Sequence, residues 1–274
     1  MSDIDVFHHS AMATQFQVRI AGVEKSYAAQ AAQAAFALTD DLESRLSRFR
    51  ENSDIARIAQ LVSGEELRVS EPAFACLEIA EKMEAATRGA FSVTAAALRD
   101  QPQRPRWSLR REAFSIRSGG GRLEFDLGAI GKGFALDRMA EVLREGDCLS
   151  FLLVAGGSSV LAGAGPVGTP GWSCGLGEND SAQRYWLTHC SLSGSGLAVK
   201  GAHILDPRTA QPAHRQHRAW ALTDSGAESD ALSTACMVWD EAELLEIIGE
   251  RSDWLVFLDQ GGGWRGRRAL PPAA

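Results

Sequence analysis

Apolar and polar positions alternate with a period of two at Phe16, Val18 and Ile20, which reads as a half-buried strand. An Ala-rich stretch follows in which Leu38, Leu42 and Leu46 recur every fourth residue, the stripe of an amphipathic helix. A second helix is predicted from Glu71 to Arg88: Pro72 suits a first turn, Leu77, Ala80 and Met83 share one face, and Gly89 stands where a helix stops. Between Gln101 and Gly121, Pro102, Arg104, Pro105 and Arg106 and the closing Gly119-Gly120-Gly121 punctuate the chain as loop and hairpin. Leu123 and Phe125 lead as a predicted strand into Gly128-Ala129-Ile130-Gly131-Lys132-Gly133. Leu136, Met139, Ala140 and Leu143 then carry a helix on to Gly146. Phe151 to Val154 is a short apolar strand ending at Ala155-Gly156-Gly157. Further strands are predicted at Tyr185 to Thr188 and His217 to Thr223, a helix from Ala227 to Trp239, and a hairpin from Trp254 to Leu258 and past Gly261-Gly262-Gly263. The order does not repeat strand, helix, strand, so the expected class is α+β. No internal repeat or interdomain linker stands out; residues 1–274 read as a single domain, or as two fused α+β subdomains.

Composition narrows the function classes. A chain of 274 residues, 45% hydrophobic and 23% charged, has enough apolar material for one large core or two fused smaller ones. The net charge of −7 sets the average field against nucleic acid and anionic membranes, although a local basic pocket is compatible with it. Five single cysteines without Cys-x-x-Cys spacing give neither a zinc site nor a redox pair, and suit a reducing compartment. The opening Met1-Ser2-Asp3-Ile4-Asp5-Val6 is acidic where a secretory signal is basic, and no apolar run is long enough for a membrane span. The expected location is cytoplasmic, with a periplasmic one open if a leader has been removed.

Three stretches carry candidate chemistry. In Asp126-Leu127-Gly128-Ala129-Ile130-Gly131-Lys132-Gly133 the glycines let backbone amides approach an anion, the helix start favours negative charge, and Lys132 adds a cation. The Walker spacing is absent, and a strand-to-helix turn needs glycine for steric reasons alone, so phosphate binding and a structural turn both fit. In Asp230-Ala231-Leu232-Ser233-Thr234 the i, i+4 spacing puts a carboxylate and a hydroxyl on one helix face. Hard oxygens so placed suit magnesium, while a solvated edge or a Thr234 bonded back to its own helix is the commoner reason for such a pair. His203-Ile204-Leu205-Asp206-Pro207-Arg208-Thr209 follows a flexible run containing Gly194, Gly196 and Gly201; Asp206 can simply hold a turn, and His203 can be a satisfied core histidine. Gly163 to Gly168 spells Gly-x-Gly-x-x-Gly, but Pro166 and Pro170 exclude the helix that a dinucleotide fold requires, so it reads as a loop. His214 and His217 lack a third ligand and sit beside Arg215 and Arg218, which reads as surface. Ser193-Gly194-Ser195-Gly196 lacks the first glycine of a nucleophile elbow.

Taken in order, the fragments resemble the FAD:protein FMN transferase family, of the ApbE type and formerly labelled thiamine-biosynthesis lipoproteins. Met12-Ala13-Thr14 is similar to the family's Met-Gly-Thr, Ser47-Arg48-Phe49 and Ser53-Asp54-Ile55 to its Ser-Arg-Phe and Ser-Glu stretches, and Gly89-Ala90-Phe91 with Thr94 to its Gly-Ala-Phe-Asp-Pro-Thr. Asp126 to Asp137 resembles the most specific motif, Asp-Leu-Gly-Gly-Ile-Ala-Lys-Gly-Tyr-Ala-Val-Asp. Ala155-Gly156-Gly157, Ser193-Gly194, His203 to Thr209 and Asp230 to Ala235 continue the match in order. The resemblance implies an α+β fold related to T-fold domains, with mixed or antiparallel sheets, packed helices and a central flavin cleft. It implies Mg2+ on Asp230, Thr234 and a backbone oxygen near Gly131, with Lys132 and the turn amides facing the pyrophosphate of FAD. Met12, Thr14, Gly156 and Gly157 would lie along the flavin, and Ser47, Thr94, Asp126, Gly128, Asp137, Ser193, Gly194 and Asp206 complete the implied binding set. His203 would contact FAD or accept a proton, and counts with Asp230 and Lys132 as catalytic.

The implied reaction moves FMN from FAD to a Thr or Ser hydroxyl of an acceptor flavoprotein, with AMP leaving. The same site could pass FMN to water, acting as a pyrophosphatase, and weakened contacts would leave a non-catalytic FAD-binding protein. Departures from the family pattern bear on that choice: Ala13 replaces a glycine, Ala59 an asparagine, Ser92-Val93 an Asp-Pro, Ser158 an acid, and Ser195-Gly196 a bulkier acidic-aromatic pair.

Overall fold

The computed structural model describes residues 4–101, 103–176, 183–196, 204–213, 216–259, 263–268 and 270–273. The chain opens with a hairpin of β1 (Ile4–Ala11) and β2 (Thr14–Ala21), in which Ala11 faces Thr14 across a two-residue turn. It continues through α1 (Lys25–Leu46), α2 (Asp54–Ile58), β3 (Glu66–Arg68), α3 (Glu71–Ala86), β4 (Arg106–Arg110) and β5 (Ser115–Gly120). After α4 (Gly131–Glu145) come β6 (Phe151–Ala155), β7 (Ser159–Ala162), β8 (Trp172–Gly175), β9 (Arg184–Leu187) and β10 (Cys190–Gly196). The remainder is β11 (Leu205–Asp206), β12 (Gln211–Pro212), β13 (Arg218–Thr223), α5 (Gly226–Cys236), α6 (Glu241–Gly249), β14 (Leu255–Leu258) and β15 (Gly263–Gly266).

Eight strands form the main sheet in the order β1-β2-β6-β7-β10-β13-β14-β15, beside a three-stranded β3-β5-β4 sheet and the β8-β9 and β11-β12 pairs. Every pairing within these sheets is antiparallel, in keeping with the expected α+β class. Side-chain alternation sorts residues to the two faces of the main sheet. Phe151, Leu153, Leu161, Ala219 and Ala221 join the core under α1, α4 and α5. Leu152, Ala162, Leu192 and Leu222 join a second cluster with Trp172, Cys174 and Leu187 of the β8-β9 hairpin.

The predicted helical stripes face the core: Leu42 and Leu46 buried and Leu38 half-buried in α1, and Leu77, Ala80 and Met83 in α3 and Leu136, Met139, Ala140 and Leu143 in α4 all buried. Side-chain oxygens of Ser53, Ser70, Ser225 and Asp240 cap α2, α3, α5 and α6, each accepting a first-turn amide.

Three expectations need correction. Leu123 and Phe125 form no strand; both are buried, and the segment is tied down by the Asp126 amide donating to Val93 O at 2.8 Å. Gly194 and Gly196 are not in a flexible run but in β10, paired with Trp220 and Arg218 of β13. The helix expected to reach Trp239 ends at Cys236, and α6, which no pattern announced, follows from Glu241. Gly201, His203, His214, Arg215, Gly261 and Gly262 lie outside the described residues.

Candidate active site

The site is built where α4 and α5 begin against each other. A Cβ on Gly133 would stand 1.9 Å from Gly226 O, and one on Gly226 2.4 Å from Gly133 O, so neither position has room for a side chain. That approach brings Asp230, one turn into α5 and only 4% exposed, against the first turn of α4. Its Oδ2 accepts the Gly133 N–H at 2.7 Å, its Oδ1 accepts the Ser159 hydroxyl at 2.6 Å, and Lys132 Nζ lies 3.8 Å from Oδ2. A buried carboxylate is thus met by two neutral donors and one cation, as a buried charge requires. Thr234 donates to Asp230 O at 3.3 Å, the local bond that its helical spacing permits, and its hydroxyl is 3.1 Å from that of Ser195. Ser195 is also 2.9 Å from Ser233 Oγ.

The β1-β2 turn closes on the same place. Met12 and Ala13 both have positive φ, 51° and 56°, the geometry that matches the twist of a two-residue hairpin but normally selects glycine or asparagine. The Met12 N–H donates to Glu43 Oε2 at 2.9 Å, and Met12 Cε lies 3.5 Å from where a Gly131 Cβ would be. Gly156, at φ +60°, leaves only 2.6 Å between a hypothetical Cβ and Thr14 Oγ1, and its amide donates to Gln15 O at 2.8 Å. Gly157 beside it is exposed, with open space where a side chain would go. Met12 therefore lies against the start of α4 at Gly131, and Thr14 and Gly156 pack on each other next to that turn. The N-cap of that helix, Ile130, has no side chain able to satisfy the first amides.

Other expected contacts take up different positions. Asp126 Oδ1 accepts the Gly128 amide at 2.9 Å, shaping the turn before α4, and its Oδ2 is 3.7 Å from Arg48. Ser47 ends α1 and accepts the Phe49 amide at 3.3 Å. Thr94 is fully buried, 3.0 Å from Ser92 Oγ, which in turn donates to Glu84 at 2.7 Å. Ser193 is buried, with its hydroxyl 2.8 Å from Ser229 on α5, and Gly194 leaves room for the Trp220 indole. Asp206 accepts the Arg208 amide and guanidinium at 2.9 Å each, the turn-holding arrangement that Asp-Pro permits. Asp137 faces the start of α5: it accepts the Ser225 hydroxyl at 2.7 Å and the Gly226 and Ala227 amides at 2.6 and 2.9 Å. Burial pushes its carboxyl above the ordinary range against the pull of those three bonds, and the nearby Asp230 adds to the rise.

Pattern reading missed Ser159, Ser195, Ser233 and Glu43. Single serines in strands and helices and a half-buried helical glutamate are too common to signal a site, and only the packing of β7, β10, α5 and α1 shows their partners. The five cysteines are buried free thiols; burial raises Cys76 and Cys174 to about 12, which keeps them protonated.

The oxygen ligands on offer here, the Asp230 carboxylate and the Ser159 and Thr234 hydroxyls, are hard and suit a magnesium-type ion beside the Lys132 ammonium. No group of three or more His, Cys, Asp or Glu residues is placed to bind a metal among the described residues. An ion here would rest on Asp230 and hydroxyls and take its remaining ligands from substrate phosphate and water, the mode magnesium favours.

A sequence profile of the ApbE family matches residues 12–257, which takes in every site residue named above. The chain belongs to the ApbE family. It is similar to the FAD:protein FMN transferase of Klebsiella pneumoniae, 21% identical over 91% of this chain and 83% of that protein. The protein of the same description from Haemophilus influenzae is 22% identical over 81% of this chain and 76% of its own length. Among solved structures, the flavin transferase ApbE from Vibrio cholerae superposes with a TM-score of 0.81 at 17% identity, covering 99% of this chain and 98% of that one. The flavinyl transferase ApbE from Pseudomonas stutzeri does so with a TM-score of 0.80 at 20% identity, covering 99% and 95%. At such identities the structural likeness establishes the ApbE fold.

Proposed function

We propose that this ApbE-family enzyme is a FAD:protein FMN transferase, moving FMN from FAD to a Thr or Ser hydroxyl on an acceptor flavoprotein and releasing AMP. The observation that carries the reading is the meeting of Asp230, Lys132 and the start of α4, in a family whose relatives bear that description. In the reaction the acceptor oxygen bonds to the FMN phosphorus, the bond from that phosphorus to the bridging oxygen breaks, and AMP departs with that oxygen. Magnesium on Asp230, Thr234 and a backbone oxygen near Gly131 would supply charge neutralisation at the diphosphate.

The chain's own groups do the positioning. Lys132 brings an ammonium to the diphosphate, and the dipole of α4 adds positive potential where negative charge develops. Met12, Thr14, Gly156 and Gly157 offer a surface for the flavin, and the small residues at Gly131 and Gly156 let backbone approach it. His203 is the proposed polar contact to FAD or acceptor of the hydroxyl proton.

The test incubates the purified chain with FAD, Mg2+ and an acceptor protein carrying a target threonine, and follows AMP by chromatography and protein-bound flavin by gel fluorescence. The expected result is AMP together with a fluorescent acceptor band, both lost with EDTA and the band lost when the target threonine is replaced by alanine. AMP without a labelled acceptor would make the chain a hydrolase, and retained yellow colour with neither product would make it a binder.

A further inference from the structure

Two segments of the chain share one spacing. Gly133-Phe134-Ala135-Leu136-Asp137 lies at the start of α4 and Gly226-Ala227-Glu228-Ser229-Asp230 at the start of α5, each a Gly-x-x-x-Asp. On a helix, positions i and i+4 share a face, so each glycine lies beside its own aspartate. The two glycines are the point of closest approach between the helices. Across that point each aspartate accepts the amide of the opposite glycine: Gly133 N–H to Asp230 Oδ2 at 2.7 Å, and Gly226 N–H to Asp137 Oδ1 at 2.6 Å. The two halves differ in the residue before the glycine. Lys132 stands there on α4 and pairs with Asp230, while Ser225 stands there on α5 and donates to Asp137 at 2.7 Å.

We propose that Asp137 is a positioning residue: with Asp230 it forms a reciprocal Gly-x-x-x-Asp clamp that locks the two helix starts together and thereby holds the Asp230 carboxylate on Gly133 and beside Lys132. Asp137 takes no part in the chemistry. Its carboxylate satisfies the Gly226 and Ala227 amides, which no residue of α5 itself can reach in that way, and so fixes where α5 begins. Because Asp230 lies four residues further on, the same contact fixes its depth against α4. A plain helix cap would stabilise α5 without any consequence at Gly133.

The inference rests on the proposed function only for its effect on FAD turnover, so the decisive readout is taken on the ligand-free chain. Amide hydrogen exchange is measured by NMR on 15N-labelled wild type and Asp137→Asn, with Leu153 in β6 as the internal reference. The expected result is Gly133 exchanging at least tenfold faster in the variant, although the Asp137 side chain makes no bond to the Gly133 amide, while Leu153 is unchanged. In the turnover assay AMP release should fall at least tenfold in kcat, with FAD affinity within threefold of wild type. Faster exchange confined to Gly226 and Ala227, with Gly133 at its wild-type rate, overturns the proposal. Should Asp137→Asn fail to fold, Ser225→Ala removes one donor from the Asp137 carboxylate; at least threefold faster exchange at Gly133 supports the clamp and an unchanged rate rejects it. A wild-type chain that releases no AMP defeats the transferase reading, while the Gly133 exchange still decides this one.

Discussion

Asp230 combines deep burial with the Lys132 ammonium at 3.8 Å and two neutral donors, the Gly133 amide and the Ser159 hydroxyl. An amide in place of this carboxylate can still accept the Gly133 N–H on its oxygen and donate from its nitrogen to the Ser159 hydroxyl, which turns to accept. Its negative charge can therefore be removed with modest loss of structure. Asp230→Asn keeps the shape and is expected to lower kcat for AMP release roughly a hundredfold or more, the scale of losing one electrostatic partner in a closed site. Its melting temperature, followed by circular dichroism, should stay within about 5 °C of wild type for a chain of this size. An unchanged kcat would take Asp230 out of the chemistry. At this scale the sequence was legible where residues act within one motif: the spacing of Asp230 and Thr234 and the position of Lys132 were readable. It was not legible where partners come from elsewhere, because the bond from Ser159 to Asp230 and the use of Asp137 on α5 are set by packing between distant segments.

Helix stripes were readable from spacing because α1, α3 and α4 each bury one apolar face. Strand β10 was not, since its helix-facing positions are Ser191, Ser193 and Ser195, hydrogen-bonded to Ser229 and Ser233 on α5. A buried face made of hydroxyls defeats a test that looks for alternating apolar residues. Those small side chains also let α5 sit close on the sheet, which the site requires. In the β1-β2 hairpin only the second strand was readable, and the turn carries an unfavourable residue. Ala13, exposed at φ 56°, stands where the family pattern has glycine and carries left-handed strain. Ala13→Gly should stabilise the protein by about 1 kcal/mol in urea titration. A loss of stability would mean that the turn is not strained.

For the molecule as a whole, the acidic composition and the scattered cysteines restricted the function classes, and the ordered series of motifs pointed to the family that the profile then matched over residues 12–257. No described helix is long and apolar enough to cross a membrane. The architecture explains why the motifs are so far apart in the chain: the β1-β2 turn, the start of α4, the β6-β7 turn and α5 are separated in sequence, and an antiparallel sheet with helices on one face gathers them. The proposed transfer requires FAD to be held at that gathering point. Crystals grown with FAD and Mn2+, measured at the manganese absorption edge, test this directly. The expected map has an anomalous peak bonded to an Asp230 carboxylate oxygen, with the FAD diphosphate between it and Lys132. A peak and a diphosphate found elsewhere, with Asp230 still bonded only to Gly133 and Ser159, would contradict the account.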